Sequence, residues 1–442
     1  MSVNEGILER VFHLKAKNTD VRTEILAGLT TFVALAYIIF VNPNILADAG
    51  IPKEAAIAST ICATAVATFL MSIWANFPIA VAPGMGLNAF FAYYVVGVLH
   101  LSWQVALGAV FFSGIFFLIL TLGGIRQAII RAVPMNLKSS IGVGIGLFIA
   151  FIGLKNAGIV VADKATFVTV GHLAAPAPFL ACIGLIITAV LVAREIKGAI
   201  LIGILVTTLM GMVAGVVQVP QGIGDIMSFH LPNMTPTFME LDIRGAWEFG
   251  IFSIVFTFTI VELFDNMGTL IGLTRKAKLM DDKGEIENLD RALTTDAIGT
   301  LMSAIFGTST VTSYVESAAG IAEGGRTGLT GITITVLFLV SLIFAPLIGL
   351  VPGFATAPAL ILVGAMMMAE ISNVSFDDIT EAVPAFLTII MMPLTYSIAN
   401  GFAFGFVSYT FVKVLAGRYK DVSIVMWVVS LAFLVNFYMR LY

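Results

Sequence analysis

The chain has 442 residues, of which 59% are hydrophobic and 11% charged, and its mean hydropathy is +1.02. A water-soluble domain carries about 25% charged residues, so lipid is the solvent for most of this protein. The 23 Lys and Arg against 27 Asp and Glu leave a net charge of −4, which offers nucleic acid no basic surface, and Cys62 and Cys182 sit in apolar segments as small hydrophobes rather than as a disulfide framework.

Residues 1–20 are polar, carrying Glu5, Glu9, Arg10, Lys15 and Asp20 where a signal peptide would be apolar. The first apolar helix is therefore expected to stay in the protein. A crossing needs roughly 20 apolar residues, and about fourteen stretches are read as membrane helices: 24–47, 55–75, 79–97, 103–122, 137–158, 177–193, 198–217, 250–273, 291–306, 310–323, 329–349, 358–371, 382–398 and 400–416. A fifteenth, 422–440, either spans or lies along the interface with Trp427, Tyr438 and Tyr442 as anchors.

Basic residues cluster in alternate connections. Arg126, Arg131 and Lys138 follow segment four, Arg194 and Lys197 follow six, and Arg275, Lys276, Lys278 and Lys283 follow eight. Lys15, Lys17 and Arg22 put the N-terminus on that same side, as Arg418 and Lys420 put the end of segment fourteen, and the positive-inside rule makes it the cytoplasm. The loop 218–249, with Asp225, Glu240, Asp242 and Glu248, is then external. The acidic loop of Glu370, Asp377, Asp378 and Glu381 falls inside, but acidic residues weigh little in the rule. The expectation is a multi-pass protein of the plasma membrane, a bacterial inner membrane, with a cytoplasmic N-terminus.

A repeat runs through the chain. Residues 133–146 lie over 351–364 without a gap, pairing Val133 with Val351, Pro134 with Pro352 and Gly146 with Gly364; residues 196–215 lie over 398–417, pairing Gly203 with Gly405, Thr208 with Thr410 and Gly215 with Gly417. Seven segments per copy is an odd number, so the second copy enters the membrane the other way round. That is the inverted-repeat architecture of secondary transporters, whose site lies at the midplane between broken helices. The third and tenth segments look broken: Pro78, Pro83, Gly84 and Gly86 interrupt one before Asn88, and GTSTVTSYVESAAG opens the other with small hydroxylated residues. They hold the same rank in their repeats. Freed N–H groups at each half-helix start would offer donors to a ligand between them.

Ionisable residues in hydrocarbon cost at least about 2.5–3.5 kcal/mol and mark function. Segment eight carries Glu262 and Asp265, segment nine Asp296 and segment ten Glu316. Asp265 precedes the polar cluster of Asn266, Gly268 and Thr269 and is the candidate ligand residue, whereas Glu262 reads better as a helix-packing hydrogen bond. Asp296 is expected to brace another helix, with a part in proton handling as the alternative. Glu316, within the hydroxyl-rich break, is the leading candidate for binding both proton and substrate. His13, His100, His172 and His230 fall in loops or termini, and no metal spacing, nucleophile triad or phosphate-binding motif is present. Neither an enzyme nor a metal or cofactor protein is expected.

The motifs GLTTFVALAYIIFVNPNIL (28–46), APGMGLNAFFAY (82–93), LFDNMGTLIG (263–272), TTDAIGT (294–300), GTSTVTSYVESAAG (307–320) and GGRTGLT (324–330) resemble those of the azaguanine-type purine permeases of the nucleobase–ascorbate transporter superfamily. The resemblance covers about residues 8–420. It implies fourteen helices in two inverted seven-helix repeats, an all-α membrane fold with short extended stretches at helices 3 and 10, sorted into core and gate domains. The expected division is a cytoplasmic N-terminus at 1–23, core halves at 24–122 and 250–349, gate halves at 123–217 and 350–416, the external loop at 218–249, and a C-terminal hydrophobic segment at 417–442. By this resemblance the helix-eight, helix-nine and helix-ten acids fall on Asp265, Asp296 and Glu316, with substrate held by Asp265, Glu316 and the backbone near Leu87, Asn88 and Ala89; residue chemistry adds Phe90, Thr269 and Ser317 as candidates. From the chemistry of acids in hydrocarbon, Glu316, Asp265 and Asp296 are expected to couple protons, with Asn42, Asn44, Glu262, Asn266, Thr312 and Ser313 as supporting residues. The position of the helix-eight histidine of related uracil carriers is Thr269 here, so no proton role passes to it.

Residue chemistry points the same way. A carboxylate accepts two parallel hydrogen bonds, which guanine offers through N1–H and its amino group and hypoxanthine offers in part. Adenine matches an ionised acid less well, and phosphorylated nucleotides lack a basic partner at the midplane. The expected activity is proton symport of a purine nucleobase, guanine or hypoxanthine before adenine, in a protein surrounded by lipid, with a homodimer through the gate domain as a further expectation. Two rivals are an anion exchanger of similar architecture, against which Glu316 speaks, and a non-transporting nucleobase sensor.

Overall fold

The computed structural model describes residues 6–123, 129, 132–250, 254–279 and 286–439. Glu5, Arg126, Arg131, Lys283, Tyr442 and the stretch 251–253 of segment eight lie outside the described residues. A short helix α1 (Ile7–Phe12) precedes α2 (Val21–Leu35), α3 (Ile38–Asp48) and α4 (Lys53–Leu70). Strand β1 (Val81–Pro83) leads into α5 (Met85–Ala89), which continues as a wider π-turn run to Val98, and α6 (Trp103–Leu122) closes this stretch. Then come α7 (Met135–Asn156), the hairpin β2 (Val160–Asp163) and β3 (Phe167–Val170), α8 (Pro176–Ala193), α9 (Ala199–Val213) and α10 (Ile243–Gly250). The second half runs α11 (Phe256–Lys276), α12 (Leu289–Phe306), β4 (Val311–Ser313), α13 (Ser317–Ala322), α14 (Gly328–Ser341), α15 (Ala345–Leu350), α16 (Gly353–Met367), α17 (Ile379–Leu394), α18 (Ile398–Leu415) and α19 (Ile424–Met439).

Polar residues in the turns start the helices. Asp20 accepts from Thr23 N (2.9 Å), Ser102 from Val105 N (3.3 Å) and Ser397 from Asn400 N (3.3 Å), each satisfying a donor that a helix start leaves without a partner. Within the apolar spans, the hydroxyls of Thr60, Thr64, Thr188, Thr207 and Thr388 turn back to the carbonyl four residues earlier, so these polar side chains tolerate burial. Among the described residues eight helices are long and apolar enough to cross a bilayer, and four shorter apolar ones add to them.

The helices sort into two bodies. In one, α2 packs on α13 and α14, α4 on α3, α12 and α14, and α6 on α11 and α12; in the other, α7 packs on α16 and α17, α8 on α9 and α16, and α17 on α18, which also carries α19. Both pairs of repeated windows lie in the second body, one member of each pair from each half of the chain. A Cβ on Gly203 would stand 2.0 Å from Thr188 Oγ1, and one on Gly405 would stand 2.0 Å from Thr388 Oγ1, so α9 meets α8 through the same contact by which α18 meets α17. Gly146 and Gly364, also paired by the repeat, face each other: a Cβ on either would lie within 2.8 Å of the other's carbonyl oxygen. Only glycine permits backbones this close.

Several boundaries differ from the sequence reading. Segment thirteen, expected at 382–398, runs Ile379–Leu394, because Tyr396 takes the left-handed conformation (φ 54°) and Ser397 starts the next helix. Segment one is two helices meeting at Ala36 and Tyr37. The loop 218–249 contains most of α10, whose Ala246 is buried against Gly108 of α6.

Candidate functional site

The two broken segments cross. β1 and β4 pair antiparallel, with Val81 opposite Ser313, Ala82 opposite Thr312 and Pro83 opposite Val311. The ladder is extended by Gly84 N to Thr310 O (3.0 Å) and Tyr314 N to Ala80 O (2.9 Å). Pro83 has no N–H to give, which fits its place at the end of so short a strand. Side chains complete the joint: Thr68 Oγ1 accepts from Val81 N (3.0 Å), Ser317 Oγ accepts from Ala80 N (3.0 Å), and the Tyr314 hydroxyl donates to the Pro83 carbonyl. Ser317 thus holds the strand.

Helix α11 runs past this crossing and packs on β4, α5 and α13. It brings Asp265 to Gly84, where a Cβ would lie 3.7 Å from Asp265 Oδ2 and 3.0 Å from Thr312 Cγ2. Glu316 stands at the start of α13, where a charge on it reaches Asp265. Both are half-buried. The buried hydroxyls of Thr310, Thr312 and Ser313 have no partner among the described residues, and a hydroxyl left so costs about 1–3 kcal/mol unless something else binds it. The first-turn donors of α13 are not free as expected, since Ser317 N and Ala318 N bond the carbonyls of Tyr314 (3.1 Å) and Val315 (2.9 Å).

The expected supporting residues divide. Asn42 donates to Thr60 Oγ1 (2.8 Å) and Thr308 Oγ1 (3.0 Å) and accepts from Asn88 Nδ2 (2.6 Å), tying α3, α4, the turn before β4 and α5 into one buried network. Glu262 accepts from Thr300 (2.5 Å) and Asn266 bonds Asp296, so both pairs clamp α11 to α12. Asn44 reaches across to Thr356 of α16 (3.5 Å) and lies on the seam between the bodies, away from the crossing. Leu87, Asn88 and Ala89 are buried in α5, and the Phe90 ring is enclosed between Tyr94 (5.2 Å) and Phe258 (5.0 Å), which makes it packing rather than an open wall. Thr269 is half-buried one turn beyond Asp265 on α11.

The seam itself borders the site. A Cβ on Gly86 would stand 3.0 Å from Ile145 of α7 and 3.2 Å from Ile398 of α18, so α5 abuts the second body. A model of a permease family matches residues 22–404. The chain belongs to that family. Adenine permease AdeP of Escherichia coli is 43% identical over 98% of this chain and 96% of its own length, and guanine/hypoxanthine permease PbuO of Bacillus subtilis is 42% identical over 97% and 100%. The resemblance to azaguanine-type nucleobase permeases is thereby borne out. The transmembrane domain of a cyanobacterium bicarbonate transporter, BicA, has the same fold at a TM-score of 0.65 and 17% identity, covering 86% of this chain and 97% of that one.

Two features of the permease escaped the sequence reading. Tyr37 donates to Glu316 Oε1 (2.6 Å); its signal was a lone hydroxyl within VALAYIIF, where nothing in the motif distinguishes it from packing. At one end of the seam, Tyr93 donates to Asp48 (2.8 Å) and accepts from Asn156 (3.1 Å), with Lys155 over its ring (4.7 Å) and Tyr396 edge-on (5.7 Å). At the other end the bodies meet through the exposed pair Lys197–Glu323 (2.6 Å).

Proposed function

We propose that this permease imports purine nucleobases by proton symport, guanine and hypoxanthine before adenine. The observation that carries the reading is the convergence of Asp265 and Glu316 on the β1–β4 crossing, beside unpartnered hydroxyls and at the seam. A pair of acids suits a base that presents parallel N–H donors, and the adenine and guanine/hypoxanthine permeases resemble this chain almost equally, so the preference rests on that donor pattern. In this reading Asp265 fixes the base edge, Glu316 holds base and proton, and Asp296 keeps α11 in place through Asn266.

The body holding the acids is the core and the other is the gate, and alternating access follows from their relative movement. The hydrogen-bonded aromatic cluster closes the external end, while the solvated Lys197–Glu323 pair at the cytoplasmic end separates easily. One charge moved through 100 mV is worth about 2.3 kcal/mol, which at about 1.4 kcal/mol per decade sustains roughly a fifty-fold gradient of a neutral base.

The test is uptake of labelled guanine, hypoxanthine and adenine in cells lacking their own purine permeases, at pH 5–8, with and without Glu316→Gln. The unaltered chain is expected to concentrate base in a manner abolished by a protonophore, and the variant to lose at least about tenfold of that uptake. Undiminished proton-driven uptake by the variant removes Glu316 from coupling.

A further inference from the structure

We propose that Tyr37 is the positioning residue for Glu316, a role that rests on the reading of Glu316 given above. Its hydroxyl takes one carboxylate oxygen, Oε1 (2.6 Å), and leaves Oε2 as the atom that meets base and proton. A phenol donating to Oε1 occupies a lone pair there, which favours Oε2 as the seat of the proton carried by Glu316. Glu316 is only half-buried, and in this proposal its second oxygen is the one that reaches the space beside the crossing.

The fold fixes where this hydroxyl arrives. Tyr37 is 1% exposed and sits at the junction of α2 and α3, with Val41 N bonded to its carbonyl (3.0 Å). Helix α2 is locked against the two elements that follow the crossing. A Cβ on Gly320 of α13 would stand 2.1 Å from Thr31 Oγ1 and 2.4 Å from Ala27 O. Glu24, fully buried, accepts from Arg326 N (2.8 Å), Thr330 N (3.1 Å) and Thr330 Oγ1 (2.6 Å), capping the start of α14. From Thr31 to Tyr37 is about 9 Å of helical chain, too short a lever to let the hydroxyl wander once the helices are in contact. Three further groups act on Glu316: its own backbone N–H, Asp265 on α11 and the Tyr314 phenol, whose hydroxyl is committed to Pro83. Tyr37 is thus the group that gives the two Glu316 oxygens different tasks.

Tyr37→Phe removes the hydroxyl and little else. With hypoxanthine as probe, in cells carrying equal amounts of protein at the membrane, KM is expected to rise about tenfold, as for loss of one charge-assisted hydrogen bond, and the pH profile of KM to be displaced. A merely structural role lowers the amount of folded protein and leaves both unchanged, so a KM within about twofold of the unaltered chain and an unmoved profile overturn the proposal. Should the variant fail to reach the membrane, 3,5-difluorotyrosine at position 37 keeps the shape and strengthens the donor; a displaced pH profile supports the proposal and an unmoved one overturns it. Absence of base uptake by the unaltered chain is a separate result that overturns the functional reading and this one with it.

Discussion

The two broken segments share a strand-then-helix course and have opposite side-chain economies. At the first, β1 and α5 carry no acid, and the Asn88 amide nitrogen is engaged by the buried network through Asn42, Thr60 and Thr308, leaving only its Oδ1 without a partner among the described residues. At the second, β4 and α13 carry Glu316, and the hydroxyls of Thr312 and Ser313 are buried without partners. The first is built as an anchor and the second to receive something. A pseudo-symmetric frame has thus been given asymmetric chemistry, which suits a site that binds one asymmetric base.

Breaking the anchor tests this contrast most severely. Asn42→Ala leaves Asn88, Thr60 and Thr308 short of partners, at about 1–3 kcal/mol for each buried group. The expected outcome is a melting temperature several degrees lower for the purified protein, with KM per folded molecule changed far less. A large KM change at unaltered melting temperature would reverse the roles of the two segments. Thr312→Val sharpens the other side. It removes a buried hydroxyl that has no partner, so stability is expected to hold or rise by about 1 kcal/mol, while base affinity measured by equilibrium binding falls about fivefold.

The smallest effect is expected far from both segments. Asp378 starts α17 and bonds the Thr380 hydroxyl (2.8 Å) and backbone N–H (2.9 Å), which with Arg418 lower its pKa to about 2 despite some opposing desolvation. A depressed folded-state value stabilises the fold above the ordinary carboxylate range, and that contribution is lost as pH falls from about 4 through about 2. Asp378→Asn is expected to cost a small part of the melting temperature at pH 7 and nothing near pH 2, with transport unaffected.

Much of the candidate site was legible because bilayer chemistry makes polar residues conspicuous. Glu262, Asp265, Asp296 and Glu316 stood out against apolar segments, and the structure pairs Glu262 and Asp296 with neighbours on α12 and α11 as packing groups while leaving Asp265 and Glu316 at the crossing. Ser317, expected at the ligand, accepts from Ala80 N, and Asn44, expected beside the site, reaches Thr356 across the seam. Neither contact was legible, because a residue's segment is known from sequence, but the face it presents depends on the rotation of that helix against its neighbours.

The sequence by itself determined the lipid environment, the broken third and tenth segments, the repeat and the family, because hydropathy, Gly–Pro interruptions and long motifs are local properties of a chain. Only the tertiary structure decided that Val81 pairs with Ser313, that Tyr37 meets Glu316, and that Gly146 faces Gly364. These contacts join residues more than two hundred positions apart, and their geometry is fixed by how closely glycine lets helices approach, a quantity set jointly by both partners and written in neither segment alone.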